Sequence, residues 1–492
     1  MQGPPPSWGP ATPDTGPTVQ GVSFLLHKGA FRRRNLSTSR LYSHADPVRR
    51  LSAQAFRRNR RKPDGGVSKC IRGGVISDQH PSLFEPSERA QRYTAELLDF
   101  MERHVYPSEP VYEIQMRESG NPHHHPQIVD DLKHEARRQG LWNLFHPHPE
   151  WGPGLTNLEY APLAEIMGRS PLLAREACNC NAPDTGNMEV LTLFGTDEHK
   201  EMWLRPLLDG TIRSAFAMTE PGVASSDATN IALRIDRDGD GYVLNGRKWF
   251  ASNAMHPNCR VLIVMGRTDP TAAPHRQQSV VVVPIDVSGV RIVRNLPVFG
   301  YHDREGHAEI EFENVHAPAS DLLKGEGEGF AIGQARLGPG RIHHAMRAIG
   351  MAERGLELLC RRADSRSTFG SPLSGRANIR DWIAEARIEI EKSRLLILKT
   401  AWLMDVAGNK EAKTEIAAIK VDAPNVALGV IDRAIQVHGG MGVTEDVPLA
   451  GFWAHLRAMR IADGPDEVHK RTIARQELRK QRRRRGDAAR GA

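Results

Sequence analysis

The spacing of apolar side chains divides the chain into stretches with two different periods. Over residues 87–106, Tyr93, Leu97, Phe100 and Met101 recur at helical intervals and share one face. Helical text continues through "IVDDLKHEARRQGLWNL" and "LEYAPLAEIMGR" to about Gly210. From about Arg213 to Asp321 short β-branched and aromatic runs take over, such as "YVLNGRKWFAS" and "HAEIEFENV". "DGDG" at 238–241 marks a hairpin, and "VVVVPI" suits a strand buried on both faces. From Gly329 to about Arg479 the period returns to 3.6, with Ile379, Trp382, Ile383, Ala386 and Ile390 on one stripe of a long helix. The pattern predicts an α+β protein. Its N-terminal helical domain spans 81–212, a small middle β-sheet domain 213–321, and a C-terminal helical bundle 322–480.

Length agrees with several packed units, since 492 residues exceed the roughly 250–300 that one core serves. Apolar runs such as Val280 to Val283 are far short of the roughly 18 residues a membrane span needs. No membrane span is expected.

The formal charge of +7 is unevenly spread. Residues 1–80 hold fourteen Lys or Arg against four Asp, whereas 81–492 hold 52 basic and 55 acidic groups. The body is near neutral. "FRRRNLSTSRLYS" (Phe31 to Ser43) looks like a mitochondrial import presequence, and a disordered basic arm is the other reading of residues 1–80. Residues 481–492 form a basic tail without a Ser-Lys-Leu type ending. A mitochondrial location is expected, with peroxisomal or cytoplasmic as alternatives. Five cysteines, an odd number, argue against a disulfide framework. Cys178 and Cys180 are expected to be buried thiols and His123 to His125 a loop, so no metal is expected.

Two loops in the β section are candidates for chemistry. "FAMTEPGVASSDATNI" (Phe216 to Ile231) crowds hydroxyls and backbone donors around an acid pair, and "KWFASN" (Lys248 to Asn253) adds an aromatic face in Phe250. A flat heteroaromatic cofactor needs stacking on a face and hydrogen bonds in its plane; the other reading is turns that satisfy their own backbone. "KGEGEGF" (Lys324 to Phe330) lacks the order of a phosphate-binding loop and reads as a turn into a helix. "QVHGGMGV" (Gln436 to Val443) places glycines in helical text, where a ligand or close packing must explain them.

"MTEPGVASSD", "RSTFG", "QVHGGMG" and "ADGPDEVH" occur in order at suitable distances, and together they resemble the acyl-CoA dehydrogenase family across residues 81–480. Within the family, the chain resembles the dehydrogenase portion of animal family members ten and eleven. The resemblance implies a C-terminal four-helix bundle and an FAD cofactor. It implies that Phe216, Ala217, Met218 and Thr219 line the flavin, with Thr219 at the pyrimidine edge. The loop carries one residue more than the common form, so Ser225 and Ser226 compete for the contact with the acyl-CoA; Ser225 is otherwise placed at the cofactor. Phe250 stands where a Trp usually stacks, beside Ala251, and Ser252 stands where a Thr meets flavin N5.

The same resemblance places Arg366 at the FAD diphosphate of a neighbouring subunit and Gln436, Val437, His438, Gly439 and Gly440 over that cofactor. A homodimer or homotetramer is implied. Arg341 lies near the CoA, with Gly338 in place of a usual acid. Gly464 is placed against the substrate, and Pro465, Asp466 and Glu467 against the cofactor. Asp463 takes the position of the catalytic Glu, and such a base must sit in a dry site where its pKa rises. The implied reaction is α,β-desaturation of an acyl-CoA, with an electron-transferring flavoprotein as electron acceptor. Two alternatives stand beside it: a nitroalkane-oxidase-like flavin oxidase, and a DNA-associated flavoprotein using Arg482 to Arg485. Nucleic-acid binding is the less expected of these.

Overall fold

A computed structural model describes residues 86–301 and 304–485; the basic arm of residues 1–80 and residues 486–492 lie outside them. Ser87 opens α1 (Glu88–Phe100) by accepting the Ala90 N–H on its hydroxyl. A π-helical turn, Met101–Val105, leads into α2 (Tyr106–Ser119). His123 to His125 lie in the turn before α3 (Gln127–Arg138), where His125 bonds to Asp130. No group of His, Cys, Asp or Glu suited to a metal occurs among the described residues. A reciprocal cap between Thr156 and Glu159 starts α4 (Asn157–Gly168). The domain is completed by α5 (Ala174–Ala177), α6 (Asp184–Phe194), α7 (Asp197–His199) and α8 (Arg205–Leu208). Cys178 and Cys180 are buried beside this core, and burial raises both thiols.

The middle domain is one mixed sheet of β1 (Arg213–Ala217), β2 (Arg234–Asp238), β3 (Gly241–Ser252), β4 (Cys259–Arg267), β5 (Gln278–Pro284), β6 (Val290–Asn295) and β7 (His307–Pro318). Its order is β1-β4-β2-β3-β7-β6, with β5 paired to β4. The expected hairpin joins β2 to β3 at Asp238 and Gly241. Alternate residues of β4 face different cores: Val261, Ile263 and Met265 join the helices, while Leu262 and Val264 pack within the β domain. That is why the central strands read as unbroken apolar text.

The bundle consists of α9 (Gly329–Ser365), a short hairpin of β8 (Ser367–Thr368) and β9 (Ser371–Pro372), α10 (Ala377–Ala407), α11 (Lys413–His438), α12 (Leu449–Met459) and α13 (Asp466–Arg484). The last helix runs past residue 480 into the expected tail, because Lys, Arg, Gln and Glu are good helix formers and Gln481 bonds back to Glu477. Two glycines seat the bundle on the N-terminal domain. A methyl group at Gly350 of α9 would overlap the Glu165 carbonyl of α4, and one at Gly168 the Arg347 carbonyl. The two helix backbones touch there, which fixes the height of α9 beneath the sheet. Among the described residues no helix is long and apolar enough to cross a membrane.

Candidate active site

The two polar loops meet at the edge of the sheet and are stitched together. Thr219 Oγ1 donates to the Trp249 carbonyl at 2.7 Å, and the Trp249 N–H returns a bond to the Thr219 carbonyl. Lys248 Nζ donates to the Met218 carbonyl at 2.9 Å and to Glu220 Oε1 at 2.7 Å. Glu220 in turn accepts the N–H groups of Ala232 and Leu233. Glu220 therefore builds the loop itself. Ser225 is spent the same way, accepting the Glu220 N–H at 2.9 Å, while Ser226 is the exposed hydroxyl of the pair.

Between Lys248 and Ala251 the β3–β7 ladder slips, and Phe250 takes a left-handed φ of 50°. Such a bulge re-aims one side chain, and it leaves the Phe250 ring 46% exposed beside His307. An apolar ring left open on a strained strand needs a cover. Ser252 Oγ lies 2.8 Å from His307 Nδ1. Asn253 anchors the end of this loop on Asp184, which also accepts the Ser214 N–H and hydroxyl. Ala217 and Ala251 point into the β core, so only their backbones can face a ligand.

Asp463 sits on the turn between α12 and α13 with a left-handed φ of 53°, followed by Gly464 at 97°. Its main-chain carbonyl accepts Arg341 Nε at 3.4 Å and lies 3.3 Å from His469 Nε2. His344 Nε2 of α9 lies 3.2 Å from Asp463 Oδ2, and 26% of the Asp463 side chain remains exposed, enough for a substrate to reach. Burial raises this carboxyl, yet the His344 hydrogen bond and charge, with Arg336 and Lys420, outweigh it and hold it well below the usual range. The expectation of a raised base is thus reversed, because sequence spacing does not show cations arriving from α9 and α11. Burial lowers His344, and Asp463 opposes that shift.

Arg336 and His344 carry no sequence motif, yet with Gly340 they mark one face of α9 at four-residue steps. That periodicity is the signal that could have found them. The Arg336 guanidinium lies 4.2 Å from the Phe216 ring centre, and its Nε donates to Asn187 at 3.2 Å. A Cβ at Gly340, between them, would meet nothing, so the face is open there. Gly338 lies on the preceding turn of α9. Glu189 of α6 is buried near Arg336, and burial pushes it up to about 8.

Other expected contacts are not gathered here. Asp466, expected at the cofactor, is buried and turned into the protein, where it accepts Arg460 Nε at 2.9 Å and Asn425 Nδ2 at 3.2 Å. As the first residue of a helix that must start inside the bundle, it is held by these partners; Pro465 and exposed Glu467 flank it. Val437 and His438 are buried in α11, with His438 bonded to the Ala434 carbonyl, whereas Gln436, Gly439 and Gly440 are exposed. Gly355 abuts Ile431, and His344 and Lys420 both face Asp463, so α9 and α11 run the same way. Exposed Arg366 and Gln436 to Gly440 therefore lie at one end of the bundle. Among the described residues no hydrogen bond, ion pair or ring contact joins that end to Phe216–Ser226 or Phe250–Ser252 of the same chain.

The site thus has two described parts, a carboxylate on a constrained turn beside the open face of α9 and a ledge of hydroxyls around the Phe250 ring. Three family descriptions match in order: acyl-CoA dehydrogenase N-terminal domain over 87–211, middle domain over 215–315 and C-terminal domain over 327–478. The chain belongs to the acyl-CoA dehydrogenase family, which implies an acyl-CoA thioester as substrate. It is 57% identical over 396 residues to the probable acyl-CoA dehydrogenase FadE2 of Mycobacterium tuberculosis, covering 80% of this chain and 97% of the relative. It is 46% identical over 472 residues to acyl-CoA dehydrogenase family member 11 of Gallus gallus, covering 94% of this chain but 60% of that longer protein. The solved structure of a putative acyl-CoA dehydrogenase from Mycobacterium abscessus superposes with a TM-score of 0.78 at 50% identity, over 81% of this chain and all of the other.

Proposed function

We propose that the chain desaturates an acyl-CoA thioester between its α and β carbons, with FAD as cofactor and Asp463 as base. The donor set fits a flavin: Phe250 offers an open ring to stack on, and Thr219 and Ser252 offer oxygen at the edges of the same ledge. When bound there, FAD would supply a hydride acceptor for the substrate β-carbon. Ser226, the exposed hydroxyl of its loop, would meet the thioester, and Arg341, which holds the main-chain carbonyl of Asp463, would lie near the CoA.

The observation that carries the reading is the position of Asp463, whose carboxylate is ionised, reachable and fixed by contacts at both its main chain and side chain. An acyl group seated on its exposed part excludes the water there, which raises the carboxyl toward the basicity that α-proton removal requires. The proton then rests on Asp463. An electron-transferring flavoprotein is the partner proposed to carry the electrons onward, and a dimer or tetramer the assembly that completes the cofactor site.

Asp463→Asn tests the base. It keeps the size of the side chain and removes the basic oxygen, so FAD content and acyl-CoA binding should persist. Exchange of the substrate α-proton with deuterated solvent should fall by about 10²–10⁴ or more. Near-native exchange in this variant would show that another group is the base.

A further inference from the structure

The free chain holds its candidate base by one side-chain oxygen. His344 Nε2 meets Asp463 Oδ2 at 3.2 Å, and among the described residues Oδ1 carries no hydrogen bond. Arg341 and His469 hold only the main-chain carbonyl of Asp463. Arg336 and Lys420 bear on the carboxylate by charge alone, so the 3.2 Å contact with His344 is the one placed to set its rotation.

We infer that His344 is a positioning residue for the reaction: its imidazole N–H engages Oδ2 and thereby presents Oδ1 of Asp463 to the substrate α-carbon. This rests on the reading of Asp463 as base. The imidazole N–H can donate before and after proton transfer, because Oδ2 remains an acceptor whether Oδ1 carries the proton or not. The pair thus stays hydrogen-bonded through the step, and the α-proton ends on Oδ1 with no proton passed to His344. The groups that face Asp463 are Arg336, Arg341, His344 and Arg347 of α9, Lys420 of α11 and His469 of α13. Among the described residues His344 alone of these brings a side-chain nitrogen into ion-pair distance of the carboxylate, at 3.2 Å, whereas the others act on it through space or through its main chain.

The test uses the full-length FAD-loaded protein with His344→Leu and His344→Gln, measured by α-proton exchange and flavin reduction across pH. His344→Leu removes the donor that favours the ionised carboxylate, so the acid limb of the exchange profile should move to higher pH. Loss of aim should lower the plateau by about 10–10²-fold while KM changes little. His344→Gln keeps an N–H donor and should recover most of the plateau. FAD content should match the parent in both. A leucine variant with the native plateau and acid limb overturns the inference, as does a glutamine variant no better than leucine with FAD lost from both. Asp463→Asn is the separate control: near-native exchange there sinks the assignment of the base itself, whereas its loss together with an unmoved His344 profile sinks only the role of His344.

Discussion

Lys248 places its ammonium 2.7 Å from Glu220 Oε1, with both side chains removed from water and the pair standing between the two loops that form the ledge. Burial lowers the Lys248 ammonium to about 8, with Glu220 opposing that shift. Lys248→Met strands a buried carboxylate and should destabilise the fold by about 3–5 kcal/mol. Adding Glu220→Gln removes the stranded charge and should return a large part of that loss. Urea unfolding of the two singles and the double measures the coupling; additive losses would show that the pair is not linked.

Gly350 has to be glycine for a steric reason. Alanine there gains up to about 1 kcal/mol of helix propensity, but its methyl group must displace the Glu165 carbonyl of α4. Overpacking of this kind costs about 1–3 kcal/mol. The clash should win, lowering the midpoint of denaturation and moving α9, with His344, relative to Asp463. A stabilised Gly350→Ala protein would mean that the two helices do not touch at this point.

Glu189 gives the fold a pH dependence. Its folded value of about 8 lies above the ordinary 4.5, so between these values the folded chain holds a proton that the unfolded chain has released. Stability is then fully present below the unfolded value and is lost as pH rises through the folded one. Glu189→Gln should leave thermal stability near pH 5 about unchanged and raise it near pH 9 by on the order of 3–5 kcal/mol. Calorimetry at both pH values decides it; an equal change at both would assign the effect to packing.

Arg366 is exposed and makes no side-chain hydrogen bond or ion pair among the described residues. If it meets the diphosphate of a cofactor held by a second subunit, Arg366→Ala should weaken FAD retention by about 10–10²-fold, the worth of one charge-assisted bond. Unfolding of the cofactor-free chain should be unaffected. A monomer that retains FAD tightly, measured by sedimentation and flavin absorbance together, would contradict the shared site.

The order of elements was legible in the chain because it depends on local rules. Period 3.6 gave the helices flanking the sheet, "DGDG" gave the β2–β3 turn, and Val280 to Val283 declared a strand covered on both faces. The loops Phe216 to Ile231 and Lys248 to Asn253 stood out because polar residues of that density rarely fill a core. What each polar residue does was not legible. Glu220 and Ser225 look like ligand groups in one dimension and prove to be ties within the loop, while Ser226, one residue on, is left free. The same holds at the turn. Asp463 could be picked out by its place in "ADGPDEVH", but its electrostatics could not, since His344 lies 119 positions earlier and Lys420 on a third helix. Charges act through space, and only the packing of α9, α11 and the α12–α13 turn brings them within reach of one carboxylate. Sequence determined which elements form; tertiary structure decided which of their charges meet.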